Sequence, residues 1–277
     1  MLRIKGVSKH FGDLTAVENL EMHVKPGTVH SFLGPNGAGK TTTIKMCTGL
    51  LQPDAGSIEI AGFNIVTHGT DARACLAYVP DEPYLYERLS GREFLDFTAR
   101  IYGLSREAFA RRFDAVVERF DLSSFIDQLA EGYSHGMRQR VVLAAAVLHE
   151  PKLLIVDEPL VGLDPKNIRV VLKLLREIAE SGGSVLMSTH TLAAVEDVAD
   201  EVSVISHGRL LYNGSVAELR GNEGLEQQFL SLTGDDGDHI EVGEHVLANG
   251  LNDTRKAEQN TENEGETDPE NDKAIAS

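Results

Sequence analysis

Residues 34–42 read GPNGAGKTT, and this stretch decides the fold. It fits G-x-x-x-x-G-K-[ST], with Gly34, Gly39, Lys40 and Thr41 in the fixed places, Pro35, Asn36, Gly37 and Ala38 between them, and Thr42 following. In such a loop the glycines let the backbone curl until its N–H groups point at the β- and γ-phosphates of a nucleotide. The lysine adds a positive charge, and the Thr41 hydroxyl is placed to hold Mg²⁺. The run before it (Val29, Ser31, Phe32, Leu33) is apolar and β-prone, and the run after it, Thr41 to Leu51, has no Gly or Pro until Gly49. The first predicts a strand and the second a helix whose positive N-terminal end faces the phosphates. A glycine-rich turn that carries a lysine by chance is the competing reading, and the strand, loop, helix order counts against it.

A chain of 277 residues can bury one substantial core, or one core with a small inserted subdomain. The net charge of -17, with no basic patch in view, argues against a nucleic-acid partner bound through its phosphates. From Asp235 onward, 13 acidic residues face only Arg255, Lys256 and Lys273. That stretch of Glu, Asp, Asn, Thr and Gly buries too little apolar surface to fold, so residues 235–277 are expected to be a disordered acidic tail behind a domain spanning 1–234. The two cysteines, Cys47 and Cys75, make no disulfide framework, which suits a reducing compartment. The N-terminus, MLRIKGVSKHFG, lacks the apolar stretch of a signal peptide, and the longest apolar run, Val141 to Leu148, is too short to span a bilayer. The expectation is a chain that is soluble by itself.

Short β-like runs (Leu2, Ile4, Val7; Leu20, Met22, Val24) separated by turns predict a small antiparallel sheet over residues 1 to 33. Phe11 has two readings there: core filling, or an aromatic that stacks on adenine beside the phosphate loop. The turn PDAG precedes an alternating strand from Ser57 to Ile60. Two prolines interrupt residues 72 to 87, which read as irregular, with Tyr84, Leu85 and Tyr86 either a contact surface or packing beneath the loop. From about residue 88 to 150 the apolar residues recur at three and four (Phe94, Phe97, Ile101; Phe109, Phe113, Val116, Val117, Phe120), the spacing of an inserted helical subdomain. KLLIVDEP then reads as a strand of a parallel sheet covered on both faces. Further strands are expected at Ser184 to Thr189 and Val202 to Ser206, with a helix from Pro165 to Glu180, and the hairpin ISHGRLLYNG closes the core.

At the tip of the KLLIVDEP strand stand Asp157 and Glu158. Two acids there can cap a strand end, or divide the labour of an ATPase, with Asp157 binding Mg²⁺ and Glu158 polarising an attacking water. Three further segments bring in a family. YSHGMRQR at 133–140 resembles the signature motif of ABC ATPases, usually LSGGQ, GLDP at 162–165 resembles their D-loop, and STH at 188–190 falls where they carry a switch histidine. Five motifs in order across residues 3 to 220 make the resemblance specific.

What the resemblance implies is a phosphate-loop NTPase core of α/β class, with a parallel sheet, an N-terminal antiparallel β subdomain and an inserted helical subdomain. Two cassettes would close head to tail, so that Ser134 and the helix end beyond Gly136 reach ATP held by the other subunit, with Asp164 across the interface. His190 would act with Glu158 at the γ-phosphate, and Phe11 would stack on adenine. A separate integral membrane permease would complete the transporter, placing this subunit on the cytoplasmic face of the cell membrane. Tyr133, His135 and Met137 depart from the usual signature, and Asp81 stands where the family has the Q-loop glutamine. Asp81 can approach Mg²⁺ directly or through water, and an acid there resembles the export-type (ABC-2) branch. The competing readings are a soluble ABC ATPase that does not serve transport, and a regulatory cassette with weak hydrolysis.

Overall fold

The strand that leads into the phosphate loop lies in the interior of the larger of two sheets, with a parallel neighbour on each side. The computed structural model describes residues 1–234, and the acidic stretch from 235 onward lies outside the described residues. The chain begins with β1 (Leu2–Phe11) and β2 (Leu14–Val24), which pair as a hairpin. Next come β3 (Val29–Leu33) and α1 (Lys40–Cys47). β4 (Ala55–Ile60) and β5 (Phe63–Asn64) join the hairpin in an antiparallel sheet of order β2-β1-β4-β5. α2 (Gly69–Ala74) and β6 (Leu76–Val79) lead to three helices, α3 (Gly91–Ile101), α4 (Arg106–Arg119) and α5 (His135–Val147). Then follow β7 (Leu153–Asp157), α6 (Pro165–Glu180), β8 (Ser184–Thr189), α7 (Leu192–Val198), β9 (Glu201–Ser206) and β10 (Arg209–Ser215). The larger sheet runs β10-β9-β3-β8-β7-β6, parallel except for β10 at one edge. Two short helices, α8 (Val216–Arg220) and α9 (Leu225–Thr233), end the described chain.

Side-chain alternation in β7 shows why its sequence is an unbroken apolar run. Leu154 and Val156 pack into a cluster shared with α3, α5 and α6, while Leu153 and Ile155 pack into one shared with α1 and the antiparallel sheet. Successive residues of a strand face opposite sides, so a strand covered on both must be apolar throughout. The helices begin where the sequence supplies caps. Ser90 and Glu93 form a reciprocal capping box on α3, Ser105 caps α4, Ser134 caps α5, and Asp164 accepts from Lys166 N and Asn167 N at the start of α6.

Three expectations differ from what is found. α1 stops at Cys47, short of Leu51, because Gly49 takes a left-handed φ of 75° just past its end. Residues 72–87 are not all irregular, since they hold the end of α2 and the edge strand β6, which stops at Pro80. The hairpin is not the last element of the core: α8 and α9 follow it, and Phe229 is fully buried in a cluster with Val202, Val204 and Leu219. The aromatic segment divides, with Leu85 buried and Tyr84 and Tyr86 exposed.

Candidate functional site

A cleft of about 460 Å³ is lined by Phe11, Asp81, Glu158 and loop residues 35–37 and 39–42. Phe11 at the end of β1 is 49% exposed on its rim, so the core-filling reading of that ring is set aside. Gly34 and Ala38 lie buried beneath the loop surface. Gly39 precedes α1 with φ 107°, and a Cβ there would come within 2.6 Å of the Ala16 carbonyl, so only glycine lets the loop approach β2 this closely. Unlike α3 to α6, α1 has no side-chain cap at its N-terminus. Its first N–H groups and its dipole are therefore available to an anion.

The Lys40 side chain is almost wholly enclosed. Its ammonium donates to the carbonyls of Gly34 at 2.6 Å and Pro35 at 3.2 Å, and lies 3.3 Å from Oε1 of Glu158. Glu158 turns out of β7 in the left-handed region, φ 46°. That turn carries its carboxylate between Lys40 and His190, whose Nδ1 lies 3.0 Å from Oε2. Burial is the largest influence on the Glu158 carboxyl and pushes its pKa up. The hydrogen bond from His190 and the charge of Lys40 together outweigh it and hold the group below the usual carboxylate range, ionised at neutral pH.

Asp157 is buried at the end of β7. Its Oδ1 accepts the Ser188 hydroxyl, while Oδ2 is buried with no hydrogen-bond partner. Burial raises its pKa most, the Ser188 hydrogen bond opposes this, and the nearby charges of Asp81 and Glu158 add to the rise, with the Thr41 hydroxyl acting the other way. A partnerless carboxylate oxygen beside a hydroxyl, under like-charge pressure, suits a hard divalent cation. Among the described residues there is no group of three or more His, Cys, Asp or Glu that could hold a metal. A cation here would take most of its ligands from phosphates and water, the habit of Mg²⁺.

Ser134, Gly136 and Asp164 lie elsewhere, not in the lining of the cleft. They are nevertheless brought together: Asn167 donates to Asp164 Oδ2 at 2.6 Å, and its side-chain nitrogen would lie 3.5 Å from a Cβ on Gly136. The Tyr133 hydroxyl accepts from Gly91 N at 3.0 Å and has the Phe125 and Gln128 carbonyls as acceptors, each at 3.0 Å, tying this segment to the start of α3. Gln139 is buried and donates to the Pro159 carbonyl at 3.2 Å, linking α5 to the segment after Glu158. Sequence reasoning missed Leu14, Thr15, Ala16, His207 and Gly208, which complete the cleft wall, because the start of β2 and the turn between β9 and β10, both apart from the loop in sequence, supply them.

A family profile described as ABC transporter matches residues 17–161, more than half of the chain. The chain belongs to the ABC transporter family. It is similar to the daunorubicin resistance ATP-binding protein DrrA3 of Streptomyces coeruleorubidus, 37% identical over 223 residues, which are 80% of this chain and 71% of that protein. It is 35% identical over 244 residues to the ABC-type transporter ATP-binding protein EcsA of Bacillus subtilis (strain 168), covering 86% of this chain and 99% of EcsA. Among solved structures, that of an ATP-binding subunit of an ABC transporter superposes with a TM-score of 0.79 at 33% identity, covering 84% of this chain and 99% of that one. The phosphate-loop α/β fold expected from the sequence is thus the fold found, and this ABC transporter protein is an ATP-binding cassette.

Proposed function

We propose that this protein is the ATP-hydrolysing subunit of an ABC transporter of the export-type branch, energising transport through a separate membrane subunit. One observation carries the reading: Lys40, Glu158 and His190 form a continuous polar chain beside a phosphate loop whose helix lacks a cap. The triphosphate of ATP would lie along the loop, taking N–H groups of residues 36–42 and the Lys40 ammonium in place of the carbonyls that now hold it. Phe11 offers its exposed face to adenine. Thr41 and Asp157, with Asp81 at the cleft wall, would hold Mg²⁺, which supplies charge neutralisation on the phosphates. Glu158, ionised and aimed by His190, accepts the proton of the attacking water.

The patch of Ser134, Gly136 and Asp164 supports completion of the site by a second cassette, identical or related, since these residues stand away from the cleft of their own chain. The membrane subunit would dock on the aromatic surface of Tyr84, Tyr86 and Phe97, each at least 41% exposed, with Tyr86 stacked edge-on to both neighbours at 5.5 and 5.7 Å. Such docking would place the protein on the cytoplasmic face of the membrane. Among the described residues no helix is long and apolar enough to cross a membrane. Relatives named for daunorubicin resistance and the acid at position 81 support the export branch.

Phosphate release from Mg·ATP, measured with and without the membrane subunit in vesicles, tests this. Release that depends on Mg²⁺ and responds to the membrane subunit is expected. ATP binding without release in either condition would favour a regulatory cassette instead.

A further inference from the structure

We propose that Ser188 is a positioning residue for hydrolysis, using one hydroxyl to aim Asp157 and to hold Glu158 in its turn. The inference rests on the ATPase reading above. Ser188 lies in β8 directly opposite Asp157 in the parallel ladder with β7, so the two side chains share a face of the sheet. It is fully buried, after Val185, Leu186 and Met187, which are equally buried and apolar. An unpaired hydroxyl in that setting is costly. This one is paired twice, and both partners belong to the acids of the site: it donates to Asp157 Oδ1 and accepts from Glu158 N at 3.0 Å. A serine hydroxyl has a single proton to donate, so its donor capacity is spent on Asp157 alone.

Two consequences follow from those bonds. Because Oδ1 is engaged, the Asp157 carboxylate is fixed in rotation, and Oδ2 is the buried oxygen left without a hydrogen bond. Glu158, with φ 46°, occupies a region disfavoured for a residue with a side chain, and its N–H is held there by the Ser188 hydroxyl and, at 3.2 Å, by the Ser188 carbonyl. The hydroxyl therefore binds the orientation of the cation-holding acid to the placement of the base. An alanine would leave Oδ1 of Asp157 without its donor and Glu158 N with a carbonyl only. Groups that orient metal-ligating carboxylates in this manner typically change metal affinity or activity by about 10–100-fold when removed.

The test compares wild type, Ser188→Ala and Ser188→Thr in three assays: Mn²⁺ binding to the ADP complex by electron paramagnetic resonance, ADP affinity in EDTA, and phosphate release. For S188A we expect Mn²⁺ affinity to fall by about 10-fold or more and kcat by about 10–100-fold, with KM for ATP and ADP affinity in EDTA within about 3-fold of wild type. S188T keeps the hydroxyl and should retain more of both than S188A. Wild-type Mn²⁺ affinity and kcat in S188A would overturn the proposal, as would S188T no better than S188A. Should S188A fail to fold, the near-isosteric Ser188→Cys, a weak donor, must show the same Mn²⁺ and kcat losses. A wild-type protein that binds neither ADP nor Mn²⁺·ADP would instead defeat the nucleotide reading itself.

Discussion

Replacing Gly39 with alanine should damage stability and nucleotide binding together, and the size of the effect can be worked from its surroundings. Gly39 has φ 107°, and an added Cβ would stand 2.6 Å from the Ala16 carbonyl oxygen and 3.3 Å from Cγ2 of Val17. A side chain at positive φ costs about 1–2 kcal/mol, and forcing a methyl against fixed neighbours adds about 1–3 kcal/mol. The clashing oxygen belongs to the backbone of β2, so no side-chain rotation relieves it. Relief requires moving the hairpin or rotating the peptide that presents Lys40 N–H. Gly37 provides the control, because its φ is 79° but nothing lies within 4 Å of the added Cβ. Gly37→Ala should therefore cost only the first contribution, and the difference between the variants reports the close approach to Ala16. The protein has no tryptophan, so urea unfolding is followed by far-ultraviolet circular dichroism, with ATP binding measured by calorimetry. We expect G39A to lose about 2–5 kcal/mol and at least about 10-fold in ATP affinity. A G39A protein no less stable than G37A, with wild-type ATP affinity, would refute the reasoning.

Phe229→Ala should cost about 3–5 kcal/mol, because this α9 ring is fully buried in a cluster with Leu192, Val195, Val202 and Val204; a loss under about 1 kcal/mol in urea would show that α9 contributes little to the core. Acid should destabilise the fold through His30, which burial holds near a pKa of about 4 from an ordinary 6.5, with its Nε2 2.8 Å from the Ser203 hydroxyl. Its folded-state pKa is depressed, so the unfolded chain binds the extra proton: stability is full above about 6.5 and falls toward about 4, by up to about 1.4 kcal/mol per pH unit. Histidine ring resonances followed by NMR should show His30 unprotonated down to about pH 5, and an ordinary midpoint near 6.5 would contradict this.

The elements that carry the site were the most legible in the sequence. β3, β7 and β8 are buried on both faces; β7 reads as an unbroken apolar run up to Asp157, β3 and β8 keep apolar stretches around buried His30, Ser31, Ser184, Ser188 and Thr189, and α6 announces itself by Asp164, Pro165 and a 3.6-residue apolar stripe. β6 was not legible, because four residues ended by a proline at a sheet edge carry too little pattern to separate from a loop. α8 and α9 were missed for a different reason: what docks them is burial of Leu219, Leu225 and Phe229 in a cluster shared with Leu192 and Val195 of α7 and Val202 and Val204 of β9, a tertiary fact without local signal. Lys40, Glu158 and His190 could be assigned to one chemistry through their motifs, but their contacts depend on the left-handed turn at Glu158. Ser188 stayed invisible because its role comes from cross-strand register with Asp157, which no spacing along the chain encodes. Of the two readings of Phe11, core filling does not survive the hairpin end, which leaves the ring half exposed on the cleft, and stacking on adenine stands as a proposal.

The most direct measurement is Mg·ATP binding and phosphate release by Glu158→Gln side by side with wild type. The substitution keeps the shape of the side chain and removes the charge that accepts a proton. With Glu158 as the base, ATP affinity should stay within about 3-fold, phosphate release should fall by about 100-fold or more, and ATP should hold the protein as a dimer on size exclusion. Unchanged turnover in E158Q would contradict it.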